Sequence, residues 1–504
     1  MSDLEAVVAA VRERVDPDAD ERARLESATA TLAERVREAV ADLPTTAEVE
    51  RVGSTARGTW LSGDRDIDLF VRFPTSLSRA ELERYGLRVG NAVLPDGREE
   101  YAEHPYVTGE FEGFDVDLVP CFDVPSATAI RSAVDRTPFH NEYLRERLDD
   151  ALAAEVRLFK AFLKGVGAYG SNLRTQGFSG YLSELLVVEY GGFEATLRAA
   201  ADWTPPVELD PEDHAAATFD DPLVVVDPTD PERNVAAVCS AENVARLQHY
   251  ARAFLDAPAT SYFESTAPAP LDADGVRAHL ARRGTTPAAV VFEAPDLVDD
   301  QLYPQLRKSL RSVVAGLERR GFDVLRAATF AADRAVLFVE LSVAERPAVE
   351  RHEGPPVGVR RHAEGFYGAY ADEGTTEGGV ASGTGPGPGP GTGVGADDAS
   401  DDGREEADEG GDGDGDGGDA GAGARPLPSV YGPFLDGERY VVEREREFTS
   451  AATFLRSDAL LDVALGAHVE TALAVDRSVL VGEATASLAD EFGVALARYF
   501  EPRP

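Results

Sequence analysis

The sequence is short of cysteine, lysine and long apolar runs. Cys121 and Cys239 stand alone in 504 residues, so neither a disulfide scaffold nor a cysteine-rich zinc site is available. Lysine occurs only at Lys160, Lys164 and Lys308, which leaves 46 of the 49 basic residues as arginine. No apolar run reaches the ~20 residues of a membrane span. Residues 1–10 carry Asp3 and Glu5 and no basic residue, so no secretory signal is expected. These absences point to a soluble, cytoplasmic protein without membrane attachment.

Acid, in contrast, is abundant. Asp and Glu number 91, and the formal net charge is −42. Such a balance argues against nucleic acid, because phosphate binding normally needs a basic surface. Molar salt changes the argument. There the Debye length falls to about 3 Å, self-repulsion is screened and a carboxylate shell keeps the surface hydrated. The lysine shortage favours this reading, a protein adapted to a salt-loaded cytoplasm whose activity needs high salt. The competing reading is an ordinary acidic protein with acidic tails.

The length suits three or four domains, and the 43% apolar content suffices for several cores. Residues 2–42 read as two amphipathic helices. Strands are expected at 47–52, 66–73, 106–112 and 114–121, with a helix at 78–93 capped by Ser78 and Glu81. Helical spacing takes over at 146–200 and 243–255; strands at 288–292 and 335–343 then flank a helix at 303–319. Residues 372–425 contain 19 glycines and 15 acids against Arg404 and Arg425, a net −13, and read as a disordered acidic insert. The expected division is a catalytic unit 1–145, a helical central unit 146–258, an α/β body 259–371, the insert 372–425, and a C-terminal segment 426–504 completing the body.

Gly53-Ser54 is followed by Asp66-Ile67-Asp68, and Asp115-Val116-Asp117 stands on a later strand. Alternation puts Asp66 and Asp68 on one strand face, and Asp115 and Asp117 on one face of the other. If the strands pair, carboxylates converge on one edge. By spacing alone either Asp115 or Asp117 is the third member, and Asp64 in the preceding loop reads as solvated. Clustered carboxylates repel one another unless a cation sits between them. Magnesium takes octahedral oxygen ligands and shares them with phosphate, and two such ions suit phosphoryl transfer. Gly53-Ser54 leads into a helix expected at 55–60, whose N-terminal amides and Arg57 suit a triphosphate.

The longer text resembles the archaeal (class I) CCA-adding enzymes, a branch of the polymerase-beta-like nucleotidyltransferases. The matching stretches are Gly53-Ser54-Thr55-Ala56-Arg57-Gly58, Glu103-His104-Pro105-Tyr106, Val116-Asp117-Leu118-Val119-Pro120, Asp135-Arg136-Thr137-Pro138-Phe139-His140, Gly177-Phe178-Ser179-Gly180-Tyr181 and Arg233-Asn234-Val235. They continue at Asp299-Asp300-Gln301-Leu302-Tyr303-Pro304. The likeness covers residues 1 to about 345 well and the rest loosely. It implies a multidomain α+β fold: a nucleotidyltransferase palm with N-terminal helices, a helical central domain and an α/β RNA-binding C-terminal domain. It implies that Asp66, Asp68 and Asp117 hold Mg2+, that Ser54 and Arg57 meet nucleotide phosphates, and that His140, Lys160 and Tyr169 complete the CTP and ATP site with Thr137 nearby. Arg233 would read the base together with tRNA phosphate, and Glu103 and His104 would flank the growing tRNA 3′ end. Homodimers occur in the family, and no nucleic-acid template is used.

Bland rivals stand beside these roles. His140 also suits a core histidine, Lys160 a solvated helix face, Tyr169 packing on a turn, and Arg233 pairing with the acids of 227–230. Arg307, Lys308, Arg311, Arg319 and Arg320 form a basic helix that suits RNA phosphate or surface ion pairs equally. A poly(A) polymerase or oligoadenylate synthase would share the carboxylates. A small-molecule nucleotidyltransferase leaves the last 250 or so residues unexplained, and a non-catalytic RNA-binding module has no use for the acids.

Overall fold

The computed structural model describes residues 3–101, 103–265, 267–371 and 429–504. The acidic segment 372–425 lies outside the described residues. No helix among the described residues is long and apolar enough to cross a membrane.

Five strands build the first sheet: β1 (Glu48–Val52), β2 (Asp66–Pro74), β3 (Arg98–Tyr101), β4 (Pro105–Phe111) and β5 (Phe114–Asp123). Their order is β1-β2-β5-β4-β3, with β2 and β5 parallel and the other pairs antiparallel. Strand alternation sends Ile67, Leu69, Val71, Val116 and Leu118 into one core. Two helices cover that core. The first, α2 (Ala19–Ala41), buries Leu25, Leu32 and Val36, and begins at a capping box of Asp18 and Glu21. The second, α4 (Arg79–Val93), buries Leu82 and Val89 behind the expected box of Ser78 and Glu81. On the opposite face Val52, Phe70 and Cys121 form a small apolar patch.

Between β1 and β2 lies α3 (Gly53–Arg57), a single turn. The expected helix at 55–60 is thus corrected: the turn starts two residues earlier and stops at Gly58, which is left-handed at φ 67°. So short a helix has little macrodipole, and what remains are local N–H groups.

The second unit packs α5 (Thr137–Arg145), α6 (Asp150–Gly165), α7 (Gly180–Tyr190), α8 (Phe193–Asp202) and α9 (Ala241–Asp256) around Phe159, Phe162, Phe193 and Phe254. The N-terminal helix α1 (Asp3–Val15) buries Val11 in this core, and Arg12 pairs with Glu155 of α6. So α1 lies across the expected division at residue 145. The unit is also not purely helical: β6 (Val207–Leu209), β7 (Leu223–Asp227) and β8 (Asp230–Asn234) form a small sheet. All five residues of β7 are buried, so its sequence shows no alternation to mark it as a strand.

The third unit is a sheet of β9 (Thr286–Glu293), β10 (Asp323–Ala331), β11 (Arg334–Val343) and β15 (Ser478–Val481), ordered β10-β11-β9-β15. Its two faces feed two cores. Val290 and Leu337 meet α11 (Asp299–Arg319), while Val291 and Phe338 meet α10 (Ala273–Arg283) and the helix Ala489–Phe500. Because β15 follows the acidic segment in sequence, the C-terminal residues close this sheet. A separate hairpin of β13 (Ser429–Asp436) and β14 (Arg439–Glu445) joins β12 (Val349–Pro356).

Candidate active site

The parallel register of β2 and β5 sets Asp66 opposite Asp115 and Asp68 opposite Asp117. Four carboxylates therefore share one sheet face. Asp66 and Asp115 are exposed, while Asp68 and Asp117 are half-buried. Burial, with Asp117 and Asp66 close by, pushes Asp68 up to about 6. Asp66 is also raised, by burial and by Asp64, Asp115 and Asp117. Asp117 thus acts on both Asp66 and Asp68, whereas Asp115 acts on Asp66. Among the described residues no three or more His, Cys, Asp or Glu side chains stand close enough together to hold a metal ion by themselves. Crowded anions hold apart until a cation arrives, and magnesium keeps water and substrate phosphate among its ligands, so few carboxylates per ion suffice. A charge-crowded, solvent-reached donor set of this kind fits a divalent ion shared with phosphate.

Gly53 fits the same site. Its φ is +75°, and a Cβ there would stand 2.1 Å from Oδ2 of Asp68. The turn carrying Ser54 can lie against the carboxylate only because the residue has no side chain.

Behind this turn sits a buried ion cluster that sequence reading missed. Glu184 of α7 is fully buried. Its Oε2 accepts from Arg57 Nε at 2.7 Å, and its Oε1 accepts from Lys160 Nζ at 2.7 Å and Thr59 Oγ1 at 2.5 Å. Lys160 Nζ also donates to Thr59 Oγ1 at 3.1 Å, and Arg57 donates to Asn141 Oδ1 at 3.0 Å. Burial alone would raise Glu184, but Arg57 and Lys160 hold it at about 2. Lys160 is lowered by burial and by Arg57, with Glu184 opposing. Lys160 is therefore no solvated surface residue. The signal in the sequence was an acid amid Leu182, Leu185 and Leu186, readable only once α6 is known to face α7.

Lys164, one turn further along α6, pairs with Asp64 at 3.1 Å and lies 5.3 Å from the Tyr169 ring centre. Asp64, expected to be solvated, instead accepts from Lys164 and, through its other oxygen, from Leu61 N at 3.1 Å. Lys164 is near enough to Asp66 to oppose its rise. Burial raises the Tyr169 hydroxyl, with Glu184, Asp64 and Asp66 adding to it, so this ring borders both the ion cluster and the carboxylates.

A second cluster surrounds His140 on α5. Its Nε2 lies 2.7 Å from Asp227 Oδ2, which also accepts from Arg233 at 2.7 Å. The imidazole stacks on Tyr181 with ring centres 4.0 Å apart. Burial lowers His140 despite Asp227, and Asp227 is held far below the usual carboxylate range by His140, Thr229 and Arg233. His140 and Arg233 are thus brought together through a shared acid, and Thr137 begins the same helix as His140.

Glu103 and His104 are not brought to the carboxylates. His104 is buried with Nδ1 3.4 Å from Glu83 of α4 and packs edge-on against Phe122, on the helix-covered side of the sheet. Glu103 pairs with Arg79 at 3.6 Å. Of the basic helix, Arg307 donates to Leu173 O and Arg320 to Gly316 O, so both are committed internally; Lys308, Arg311 and Arg319 are exposed.

Three family models match along the chain. Residues 33–140 match the nucleotidyltransferase domain family, 154–264 match the second domain of tRNA nucleotidyltransferase, and 283–377 with 425–482 match the C-terminal domain of CCA-adding enzymes. The gap in the last match falls on the acidic insert. The CCA-adding enzyme of Halorubrum lacusprofundi is 58% identical over 515 residues, covering 100% of both chains. Those of Halobacterium salinarum and Haloarcula marismortui are 56% and 54% identical, again over 100% of both chains. Full-length identity at this level, on top of the shared-face carboxylates, means that this chain belongs to the family of CCA-adding enzymes.

Proposed function

We propose that the chain builds and repairs the 3′-terminal CCA of tRNA from CTP and ATP, without a nucleic-acid template, by attack of the tRNA 3′-hydroxyl on the nucleotide α-phosphorus with release of pyrophosphate. The observation that carries this is the register setting Asp66 and Asp68 beside Asp117 on one open face, in a chain belonging to that family along its whole length. Asp66, Asp68 and Asp117 would hold Mg2+, which when bound lowers the attacking hydroxyl's pKa and neutralises phosphate charge. Asp117 is preferred to Asp115 because it is coupled to both Asp66 and Asp68.

Ser54 follows Gly53, which packs on Asp68, and Arg57 is near enough to Asp68 to act on it through charge; with Tyr169 and Lys164 they would bind the triphosphate, with Lys160 adding its charge from behind. Catalysis is then mostly positioning and charge complementarity. His140 and Arg233, tied through Asp227, present planar donors to the incoming base, and an arginine fork accepts either a pyrimidine or a purine edge. Glu103 and His104, tied to Arg79 and Glu83, are left out of this site. The exposed Lys308, Arg311 and Arg319 track tRNA phosphates without reading sequence.

The test is to offer CTP and ATP, singly and together, to tRNAs ending before C, before the second C and before A. The proposal expects C, C and A to be added in turn and addition then to stop. Continued A addition would instead assign the chain to the poly(A) polymerase type.

A further inference from the structure

Glu184 joins three elements that are far apart in the chain. Arg57 comes from the turn before β2, Lys160 from α6, and Glu184 from α7. Lys160 and Glu184 are almost wholly buried, and every bond to the carboxylate lies between 2.5 and 2.7 Å. As glue this is a poor choice, because well-packed apolar side chains hold a core as firmly as a buried ion pair does, often more so. The charge count suggests another use. Two cations share one anion, so the cluster keeps a net +1 behind the Gly53-Ser54 turn. Without the anion, Arg57 and Lys160 would repel each other, and lysine is the partner able to shed its proton when buried.

We propose that Glu184 is a positioning residue of the nucleotide site: its carboxylate fixes Arg57 and the charge of Lys160 behind the Gly53-Ser54 turn, which receives the triphosphate. This rests on the nucleotidyl-transfer reading above. The groups facing Lys160 are Glu184 from α7, Arg57 from α3, Asp64 from the loop before β2 and Tyr169 beyond α6; Glu184 is the acid in contact with it. Glu184→Gln preserves shape and removes the charge, so Lys160 is left with Arg57 beside it and loses its proton at lower pH.

The experiment is steady-state incorporation of CTP and ATP into end-trimmed tRNA by wild type and Glu184→Gln, from pH 6 to 9 in high salt, with thermal melts alongside. At pH 8 KM for both nucleotides should rise about tenfold in the variant, the scale of one charged hydrogen bond. The KM for tRNA should be unchanged, and the nucleotide defect should shrink towards pH 6. A purely structural role would lower the melting point without this pH-dependent KM change. If Glu184→Gln does not fold, Thr59→Val, which removes the hydroxyl bonded to both partners, should still raise nucleotide KM severalfold. Nucleotide KM values that match wild type at every pH, or that stay unmoved in Thr59→Val, overturn the positioning role. Failure of the wild type to add CCA would overturn the parent reading instead.

Discussion

Replacing Gly53 by alanine separates fold from chemistry, because Gly58 supplies a matched control. Both glycines are left-handed, at φ +75° and +67°. An alanine at either position pays the same conformational cost, roughly 1–2 kcal/mol. Their surroundings differ. A Cβ on Gly58 meets nothing within 4 Å, whereas one on Gly53 would stand 2.1 Å from Asp68 Oδ2. Non-bonded heavy atoms rest about 3.5 Å apart, so the Asp68 carboxylate or the turn must retreat by about 1 Å or more. A misplacement of that size at a catalytic group costs on the order of a hundredfold in rate. Urea or thermal unfolding should therefore show both variants folded, with Gly53→Ala destabilised at least as much as Gly58→Ala because the clash adds to the shared backbone cost. CTP incorporation into end-trimmed tRNA should fall about a hundredfold in Gly53→Ala and stay within about threefold of wild type in Gly58→Ala. Equal activity in the two variants would refute the idea that the turn is packed against a working carboxylate.

Other expectations concern charge. Asp117→Asn should abolish incorporation while Asp115→Asn lowers it less than tenfold, on the order of one exposed charge; comparable losses in both would move the third ligand to Asp115. Glu184 sits at about 2, below its ordinary 4.5, so its stabilisation is present above pH 4.5 and is lost as pH falls from there through 2. The unfolding free-energy gap between wild type and Glu184→Gln should accordingly narrow over that interval, and a constant gap would contradict it. Lys308→Ala with Arg311→Ala should weaken tRNA binding severalfold in filter or anisotropy assays, with the difference shrinking as salt rises, since each lost phosphate contact lowers the salt slope by about one.

What was legible from sequence depended on whether a residue's neighbours are local. The alternation in β2 and β5 is a local pattern, so the shared face of Asp66, Asp68, Asp115 and Asp117 could be read before any coordinates. The capping box of Ser78 and Glu81 was equally readable, because both partners lie within four residues of each other. Glu184 was not, since its partners lie 127 and 24 residues away and its helix otherwise reads as a plain apolar one. Strand β7 escaped because burial on both faces erases periodicity. Asp64 looked solvated because its partner Lys164 is 100 residues distant. The pairing of Arg233 with an acid of 227–230 was anticipated as a bland alternative; the additional hold of that acid, Asp227, on His140 was not.

If the paired strands β2 and β5 hold the acids of the nucleotidyl transfer, Asp68 is indispensable. Incorporation of labelled CTP and ATP into end-trimmed tRNA by wild type and by Asp68→Asn tests it most directly, with folding matched by thermal melt. Wild type should add CCA, and the variant should lose about a thousandfold, the scale of removing a main electrostatic contributor. Undiminished addition by a folded Asp68→Asn protein would contradict it.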